Sequence, residues 1–184
     1  MDDTLYETAA RYLELFPSEY DAMRILRKQI SDKEDIGDRK NFTGHVTGSG
    51  IVIHDNHILL VFHNKLQKFL QPGGHYENDR TVAACAQREV EEETGVGVKL
   101  HNWHVEHDYV PIHIDTHRIP ENKEKNEDAH YHHDHAFIFT VKSKDDVSLQ
   151  KEEVGDYKWI SIDTDFEDDY LKIIARKIKY LSLN

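Results

Sequence analysis

Residues 73–96 read GGHYENDRTVAACAQREVEEETGV, a glycine pair followed by a helix-like segment crowded with glutamate. Four of the six residues from 88 to 93 are glutamate. On a helix, Glu89, Glu92 and Glu93 share one face because they are three and four positions apart. Carboxylates this close repel one another unless a cation lies between them, and hard oxygen ligands suit Mg²⁺ or Mn²⁺. The stretch therefore predicts metal-assisted phosphate chemistry.

The spacing of this stretch resembles the signature of the Nudix hydrolases, which reads Gly, five residues, Glu, seven residues, then Arg-Glu-apolar-any-Glu-Glu-any-Gly-apolar. Gly74 begins the match, five residues separate it from Arg80, and seven more lead to residues 88–96. Eight of the nine fixed positions match, and a spaced pattern of this length is a specific signal. The mismatch is Arg80, where the family usually has glutamate. We interpret it as a local change before the helix, which Asp79 or Thr81 would cap.

The resemblance implies an enzyme that hydrolyses a diphosphate joined to a nucleoside or a similar group, with water attacking phosphorus. It implies Glu89 and Glu93 as ligands of a divalent cation, Mg²⁺ or Mn²⁺. Glu92 is then a third ligand or the residue that polarises the water. Arg88 is predicted to orient carboxylates, for example by pairing with a glutamate one helical turn away.

Two further positions follow from the same resemblance. Family members often take a base or an extra ligand from a later loop, and we predict Glu153, beside Glu152, for this role. The alternative is that both glutamates are simply solvated. Gly73 and Gly74 are predicted to shape the loop and admit the phosphates.

Histidine is the compositional outlier, with 14 residues in the chain, nine of them between positions 101 and 135. Strand alternation would bring two sets of side chains to one face each: His113, Asp115 and His117, and then His130, His132 and Asp134. Three interpretations stay open. The six residues could form a second metal site for Zn²⁺, Mn²⁺ or Fe²⁺. His117 and His132 could bind the substrate instead, or these could be ordinary surface histidines. The segments 115–120 (Asp-x-His-x-Ile-Pro) and 130–134 (His-x-His-x-Asp) also resemble segments found in one group of Nudix proteins. That resemblance does not define the substrate.

Hydrophobic periodicity predicts an α+β protein with an N-terminal extension, residues 1–40, before a main domain, residues 41–184. Helical patterns over 4–16 and 18–30, with Ser18 as the second N-cap, predict a helical hairpin in the extension. Strands are predicted at 49–54, 57–62, 104–110, 111–117, 135–142 and 154–160, and helices at 80–94 and 166–178. Asp55-Asn56 is a hairpin turn signal. The Nudix resemblance implies that these elements form an α/β/α sandwich with a mixed sheet.

Composition restricts the class of protein. A chain of 184 residues fits one domain with a small appendage, and its mean hydropathy is −0.72. Apolar runs stay far below the roughly 20 residues that cross a bilayer, so no membrane partner is expected. The net charge of −12 argues against binding of a nucleic acid polymer. The single cysteine, Cys85, fits a reducing cytoplasm and is expected to be a small buried hydrophobe.

Two other functions compete with the hydrolase. A Nudix-like binding or regulatory module with weak or no turnover is the first, and Arg80 is its sole warning sign. A Nudix-fold isomerase acting on a prenyl diphosphate is the second, although Cys85 within a helix is poorly placed for such chemistry. The helical extension also makes a homodimer one expectation.

Overall fold

The computed structural model describes residues 3–149 and 154–183, and no helix in these ranges is long and apolar enough to cross a membrane. The helices are α1 (Asp3–Leu15), α2 (Arg24–Ser31), α3 (Val82–Thr94), α4 (Asn102–Glu106) and α5 (Asp169–Tyr180), with short 3₁₀ turns at Pro17–Glu19 and Lys144–Asp146. The strands are β1 (His45–His54), β2 (His57–His63), β3 (Lys68–Leu70), β4 (Gly73–His75), β5 (Lys99–Leu100), β6 (His113–Ile119), β7 (His130–Thr140) and β8 (Val154–Ser161).

Within the described ranges, eight strands form one mixed sheet with β1 and β7 at its centre. β1 runs parallel to β7, from His45 opposite His132 to Ile53 opposite Thr140. β2 and β4 pair antiparallel with β1, and β5 and β6 pair antiparallel with β7. β3 and β8 complete the sheet on β2. The mixed sheet is therefore confirmed.

The turn between β1 and β2 lies where the sequence predicts it. Asp55 and Asn56 have φ angles of 45° and 59°, the left-handed values that a tight two-residue hairpin requires. This turn sets Ile53 opposite Ile58 and thereby sets the register of the hairpin.

Helices cover both faces of the sheet, which confirms the α/β/α sandwich. Alternate residues of β1 face opposite sides, and Gly48 and Gly50 lie under α3, where a Cβ atom at Gly50 would fall 2.1 Å from Val90. On the other face, Ile51 packs in a separate apolar cluster with α5 residues such as Ile174. The long helices α3 and α5 thus bury the apolar sides that their sequence periodicity predicts.

The N-terminal helices pack on the domain. Leu5 and Tyr12 of α1 and Leu26 of α2 are buried in the same apolar cluster as the core-facing side of α3. Gln29 of α2 donates a 2.9 Å hydrogen bond to the carbonyl of Gly44, at the entrance to β1. The extension therefore contributes to the core of this chain.

Two local predictions are wrong. The strand predicted at 104–110 is the short helix α4, because the His101 side chain accepts a 3.2 Å hydrogen bond from the amide of Trp103 and caps a helical turn. Trp103 of this turn is buried in the apolar cluster that includes α5 residues such as Ile174. Ser18 does not cap the second helix: it lies in a 3₁₀ turn, and α2 begins at Arg24.

Candidate functional site

The glutamate-rich helix α3 has well-defined ends. The Thr81 hydroxyl accepts a 3.1 Å hydrogen bond from the amide of Ala84, so Thr81 is the N-cap. Gly95 ends the helix with a φ of 67° and donates its amide to the Glu91 carbonyl. Both ends agree with the sequence interpretation.

The glutamates of α3 differ in exposure. Glu93 is 7% exposed and the Glu89 side chain 14%, whereas the Glu92 side chain is 53% exposed. Glu91 is exposed and accepts a 2.9 Å hydrogen bond from Gln87 on the same helix. Glu89 and Glu93 are thus held within the fold, while Glu92 is open to solvent and to a ligand.

The glycine pair of β4 lies against two different neighbours. A Cβ atom at Gly73 would fall 2.8 Å from the carbonyl oxygen of Gly48 on β1. One at Gly74 would fall 2.5 Å from the carboxylate of Glu89. Glycine at 74 thereby allows the backbone of β4 to touch the half-buried carboxylate of Glu89 on α3.

Arg88 joins the loop before α3 to the helix itself. It donates two hydrogen bonds to Asp79, of 3.0 and 2.9 Å, and one of 3.2 Å to the carbonyl of His75. Its Nη1 also contacts Glu89 at 2.7 Å and Glu92 at 3.1 Å. The hydrogen bonds from Arg88 lower the pKa of Asp79. Arg88 therefore orients carboxylates on both sides of the helix start.

Arg80, the one departure from the Nudix pattern, is exposed at the turn before α3. The two functions that a carboxylate could serve there are filled by neighbours. Asp79 binds Arg88, and Thr81 caps the helix. The reversed charge at position 80 therefore leaves the loop–helix turn intact.

Cys85 is buried on α3, and burial raises the pKa of its thiol to about 12. Its Sγ is 3.1 Å from where a Cβ atom at Gly48 would be, so the side chain fills the gap above β1. A thiol in this setting stays protonated near neutral pH and is a packing residue.

The two predicted histidine sets share one face of the sheet, here called the histidine face: the side of β6 and β7 that carries His113, Asp115, His117, His130, His132 and Asp134. The register of β6 and β7 causes this, since Asp115 lies opposite Asp134 and His117 opposite His132. The six side chains nevertheless separate into distinct groups, each with its own partners.

Asp115 and His117 form one such group. His117 Nδ1 lies 2.7 Å from a carboxylate oxygen of Asp115. This hydrogen bond raises the pKa of His117. Burial alone would raise the pKa of Asp115, but the interaction with His117 outweighs burial and lowers it. The His117 ring is also 5.8 Å from the ring of His132.

Asp134 is a buried hydrogen-bond acceptor. The hydroxyls of Thr47 and Ser49 donate to one carboxylate oxygen, at 3.0 and 2.7 Å, and Tyr170 donates to the other at 3.1 Å. Burial raises the pKa of Asp134 despite these bonds. Its oxygens are therefore occupied in linking β1 and β7 to α5.

His113 lies in a third group, between the N-terminal extension and α5. Its Nδ1 is 3.2 Å from a Glu19 carboxylate oxygen, and Lys177 contacts the same carboxylate at 2.6 Å. Tyr12 also donates to Glu19. His113 thus contributes to docking of the extension.

His45 and His75 are histidines that the sequence interpretation missed. Strand pairing brings them to His132 on the histidine face, where one ring nitrogen of each lies within 4.8 Å of the others. Neither lies in a histidine-rich segment of the sequence. Only the alternation of side chains along β1 and β4 could have indicated which face of the sheet each histidine is on. His130 lies beside this group, with its Nε2 3.3 Å from Nε2 of His132.

Glu152 and Glu153, the candidates for a later base or ligand, lie outside the described residues. Glu153 stays a prediction.

Comparisons with known proteins agree with this fold. A family model described as NUDIX domain matches residues 44–178. The fold is similar to that of a NUDIX-family hydrolase from Clostridium perfringens, with 23% identity, a TM-score of 0.54, and coverage of 74% of this chain and 97% of that one. It is also similar to an Ap4A hydrolase from C. elegans, with 16% identity, a TM-score of 0.53, and coverage of 74% and 96%. The search of curated proteins gives no match.

Proposed function

The chain belongs to the NUDIX family of diphosphate hydrolases, and on that premise we propose that it cleaves a phosphoanhydride bond in a nucleoside diphosphate linked to another moiety, with the help of a divalent metal. The observation that carries the proposal is the close approach of Gly74 to Glu89. A Cβ atom at 74 would overlap that carboxylate, so the loop and the acidic helix face form one continuous site.

The donor set fits a hard cation. Glu89, Glu92 and Glu93 lie within little more than one turn of α3 and offer only carboxylate oxygens, which Mg²⁺ and Mn²⁺ prefer over imidazole. Glu89 and Glu93 would hold the cation, with Glu92 as a third ligand. When bound, the cation neutralises phosphate charge and lowers the pKa of the attacking water.

The protein residues supply the remaining functions. Where Glu92 is not a metal ligand, its exposed carboxylate polarises the water that attacks phosphorus. Arg88 keeps Glu89 and Glu92 in place through its contacts with both. Gly73 and Gly74 let the loop lie close to β1 and to Glu89, and their backbone faces the phosphate oxygens in this proposal. These roles divide the site between a rigid helix and a loop that is tied to it.

Residues beyond the α3 helix complete the proposal. Glu153 supplies a base or an extra ligand from the later loop. His117 and His132 face the group attached to the diphosphate from the histidine face, with their rings 5.8 Å apart. The substrate is a small anion rather than a nucleic acid polymer, and the net charge of −12 is in keeping with this.

The setting of the reaction belongs to the same proposal. The lone Cys85 is in keeping with a reducing cytoplasm. A homodimer that uses the exposed side of the N-terminal helices is also proposed, and sedimentation equilibrium tests it directly.

Turnover with defined substrates tests the proposal. The protein is incubated with Mg²⁺ or Mn²⁺ and a panel of nucleoside diphosphates linked to sugars, nucleosides or phosphate, and release of a phosphomonoester is measured after coupling to a phosphatase. We expect turnover of at least one member of the panel. Glu93→Gln should lower kcat by about 100-fold or more, because a neutral amide replaces a buried metal-facing carboxylate.

Glu91→Gln is the matched control, since Glu91 is on the same helix but exposed. It should keep the rate within about twofold, the size of effect expected for a surface charge. An unchanged rate for Glu93→Gln would contradict the assigned metal role. If no panel member is hydrolysed but one binds tightly, the alternative of a Nudix-like binding or regulatory module is favoured instead.

A further inference from the structure

Three histidines from three different strands meet at one end of the histidine face. His45 comes from β1, His75 from β4 and His132 from β7, and one ring nitrogen of each lies within 4.8 Å of the other two. Their ring centroids are 4.8 to 5.3 Å apart. The register causes the meeting, because His45 lies opposite His132 and His75 lies opposite Thr47, two residues further along β1.

His45 has a buried nitrogen that lacks a hydrogen bond within the described part of the chain. The residue is 2% exposed, and its Nδ1 is 3.3 Å from the carbonyl oxygen of Asn41. Its Nε2 has no partner among the described residues. An unsatisfied buried polar atom costs free energy, so such atoms are rare unless an ion or water binds there.

The partner of His45 selects the tautomer that can bind a metal. When Nδ1–H of His45 donates to the Asn41 carbonyl, the lone pair on Nε2 is left to coordinate a cation. Backbone carbonyls commonly orient metal-binding histidines in this way. His130, next to this group, has its Nδ1 2.6 Å from the carbonyl oxygen of Asp128 and its Nε2 3.3 Å from Nε2 of His132, so a metal at the three histidines would replace the His130–His132 hydrogen bond.

The electrostatic setting favours neutral rings. Burial lowers the pKa of His45, lowers that of His75 to about 4, and lowers that of His132 to about 2. A neutral imidazole is the form that donates a lone pair to a metal. Three neutral imidazoles around one point form a ligand set without a charge of its own.

We propose that His45, His75 and His132 bind one transition-metal ion, with Zn²⁺ as the best match, and leave its fourth coordination position open. Imidazole nitrogen suits Zn²⁺ and similar ions and does not suit Mg²⁺. Three protein ligands with one open position are typical of zinc sites that also bind water or an anion. The site is therefore chemically distinct from the carboxylates of α3.

The geometry needs a small adjustment. Nitrogens around a tetrahedral Zn²⁺, at Zn–N distances of about 2.0–2.1 Å, are roughly 3.3 Å apart. In the structure these nitrogens lie within 4.8 Å of one another. Ring rotations that move each nitrogen inward by about 1 Å would bring them to the spacing that Zn²⁺ requires. Of the six residues that the sequence predicted for a second metal site, His132 alone belongs to this ligand set. Asp134 and His113 are occupied by other partners.

The test uses ZnCl₂ binding to the untagged full-length protein in buffer with millimolar Mg²⁺, which occupies carboxylate sites without competing for imidazole. Binding is measured by isothermal titration and by metal analysis after desalting. We expect one Zn²⁺ per chain. His132→Gln should weaken this binding by at least about 100-fold, because loss of a direct ligand exceeds the 10- to 100-fold effect of losing an outer partner.

His57→Gln is the matched control. His57 lies at the start of β2, next to the hairpin turn and paired with His54, whereas His45 lies at the far end of β1. This variant should therefore bind Zn²⁺ like the unchanged protein. Co²⁺ provides a second readout: a three-nitrogen tetrahedral site should give intense visible absorption bands, which His132→Gln removes. Neither readout depends on hydrolysis, so failure of this site and failure of the proposed function are distinguishable.

Failure of the unchanged protein to bind Zn²⁺ would overturn the proposal, as would equal binding by His132→Gln. His75→Gln replaces His132→Gln if circular dichroism shows that the latter is unfolded. If neither variant folds, ring ¹H–¹⁵N spectra of the unchanged protein decide. Zn²⁺ must then shift the ring nitrogens of His45, His75 and His132, and shifts confined to exposed rings would contradict the site.

Discussion

Gly74 and Glu89 are in direct contact: a Cβ atom at residue 74 would lie 2.5 Å from Oε1 of Glu89. The contact joins β4 to α3, and a side chain at 74 would have to displace the Glu89 carboxylate. Gly97 differs in this respect, because a Cβ atom there would meet nothing within 4 Å. These two glycines therefore form a matched pair for mutation.

Gly74→Ala should displace the Glu89 carboxylate, and with it the cation that we propose Glu89 binds, because the new methyl group and the carboxylate cannot occupy the same space. We expect kcat to fall by about 100-fold, the usual effect of a displacement of about 1 Å in an active site. Gly97→Ala should leave kcat unchanged. Steady-state hydrolysis by the two variants is the measurement, and similar rates would contradict the role of the contact.

Arg88→Lys should weaken the tie between the loop and α3. Lysine cannot reproduce the two parallel hydrogen bonds to Asp79. We expect a loss of about 1–2 kcal/mol in the free energy of unfolding, since the pair is partly exposed. We also expect kcat to fall by at least about tenfold. Urea unfolding and hydrolysis measure the two effects.

The control for this variant is Arg24→Lys on the exposed side of α2, which should change neither quantity. A variant Arg88→Lys with full activity and full stability would show that the Asp79 contact does not organise the site.

Arg80→Glu restores the usual family residue. Because Asp79 already binds Arg88 and Thr81 already caps α3, we expect kcat to change by less than about threefold. An anion before the helix N-terminus should raise the free energy of unfolding by about 0.3–1 kcal/mol. Kinetics and urea unfolding test this. A large rise in rate would instead mean that Arg80 impairs the native site.

Glu19 should make the stability of the protein depend on pH. Burial alone would raise its pKa, but hydrogen bonds from His113, Lys177 and Tyr12 outweigh this and lower the pKa to about 2. A depressed carboxyl pKa contributes stability that is present above the unfolded-state value near 4.5. This stability is lost as the pH falls toward 2. For Lys177, burial outweighs the contact with Glu19 and lowers its pKa, so the pair contributes less than the Glu19 shift alone.

Glu19→Gln should therefore lower the free energy of unfolding by about 1–3 kcal/mol at pH 7. The difference from the unchanged protein should disappear near pH 2. Glu14→Gln on the exposed side of α1 serves as control and should show no such difference. Urea unfolding across this pH range is the measurement. A difference that persists at low pH would contradict the ionic role of Glu19.

Local sequence determined the parts of the fold that depend on neighbouring residues. The helix predicted at 80–94 is α3, Val82–Thr94, because the cap at Thr81 and the left-handed Gly95 are properties of adjacent residues. The turn at Asp55-Asn56 is local in the same sense. The strand predicted at 104–110 failed because a short apolar pattern does not distinguish a strand from one helical turn.

The amino-acid sequence by itself thus determined the family, the acidic helix and the glycine loop, since all three are written in one continuous stretch. The tertiary structure decided which distant residues meet. His45, His75 and His132 belong to strands that are far apart in the chain, and their meeting depends on the register of β1 with β4 and β7. Asp134 and His113 lie on the same face but are bound by Tyr170 and Glu19 from other elements. Strand register and helix docking are set by packing across the whole fold, and no local pattern encodes them.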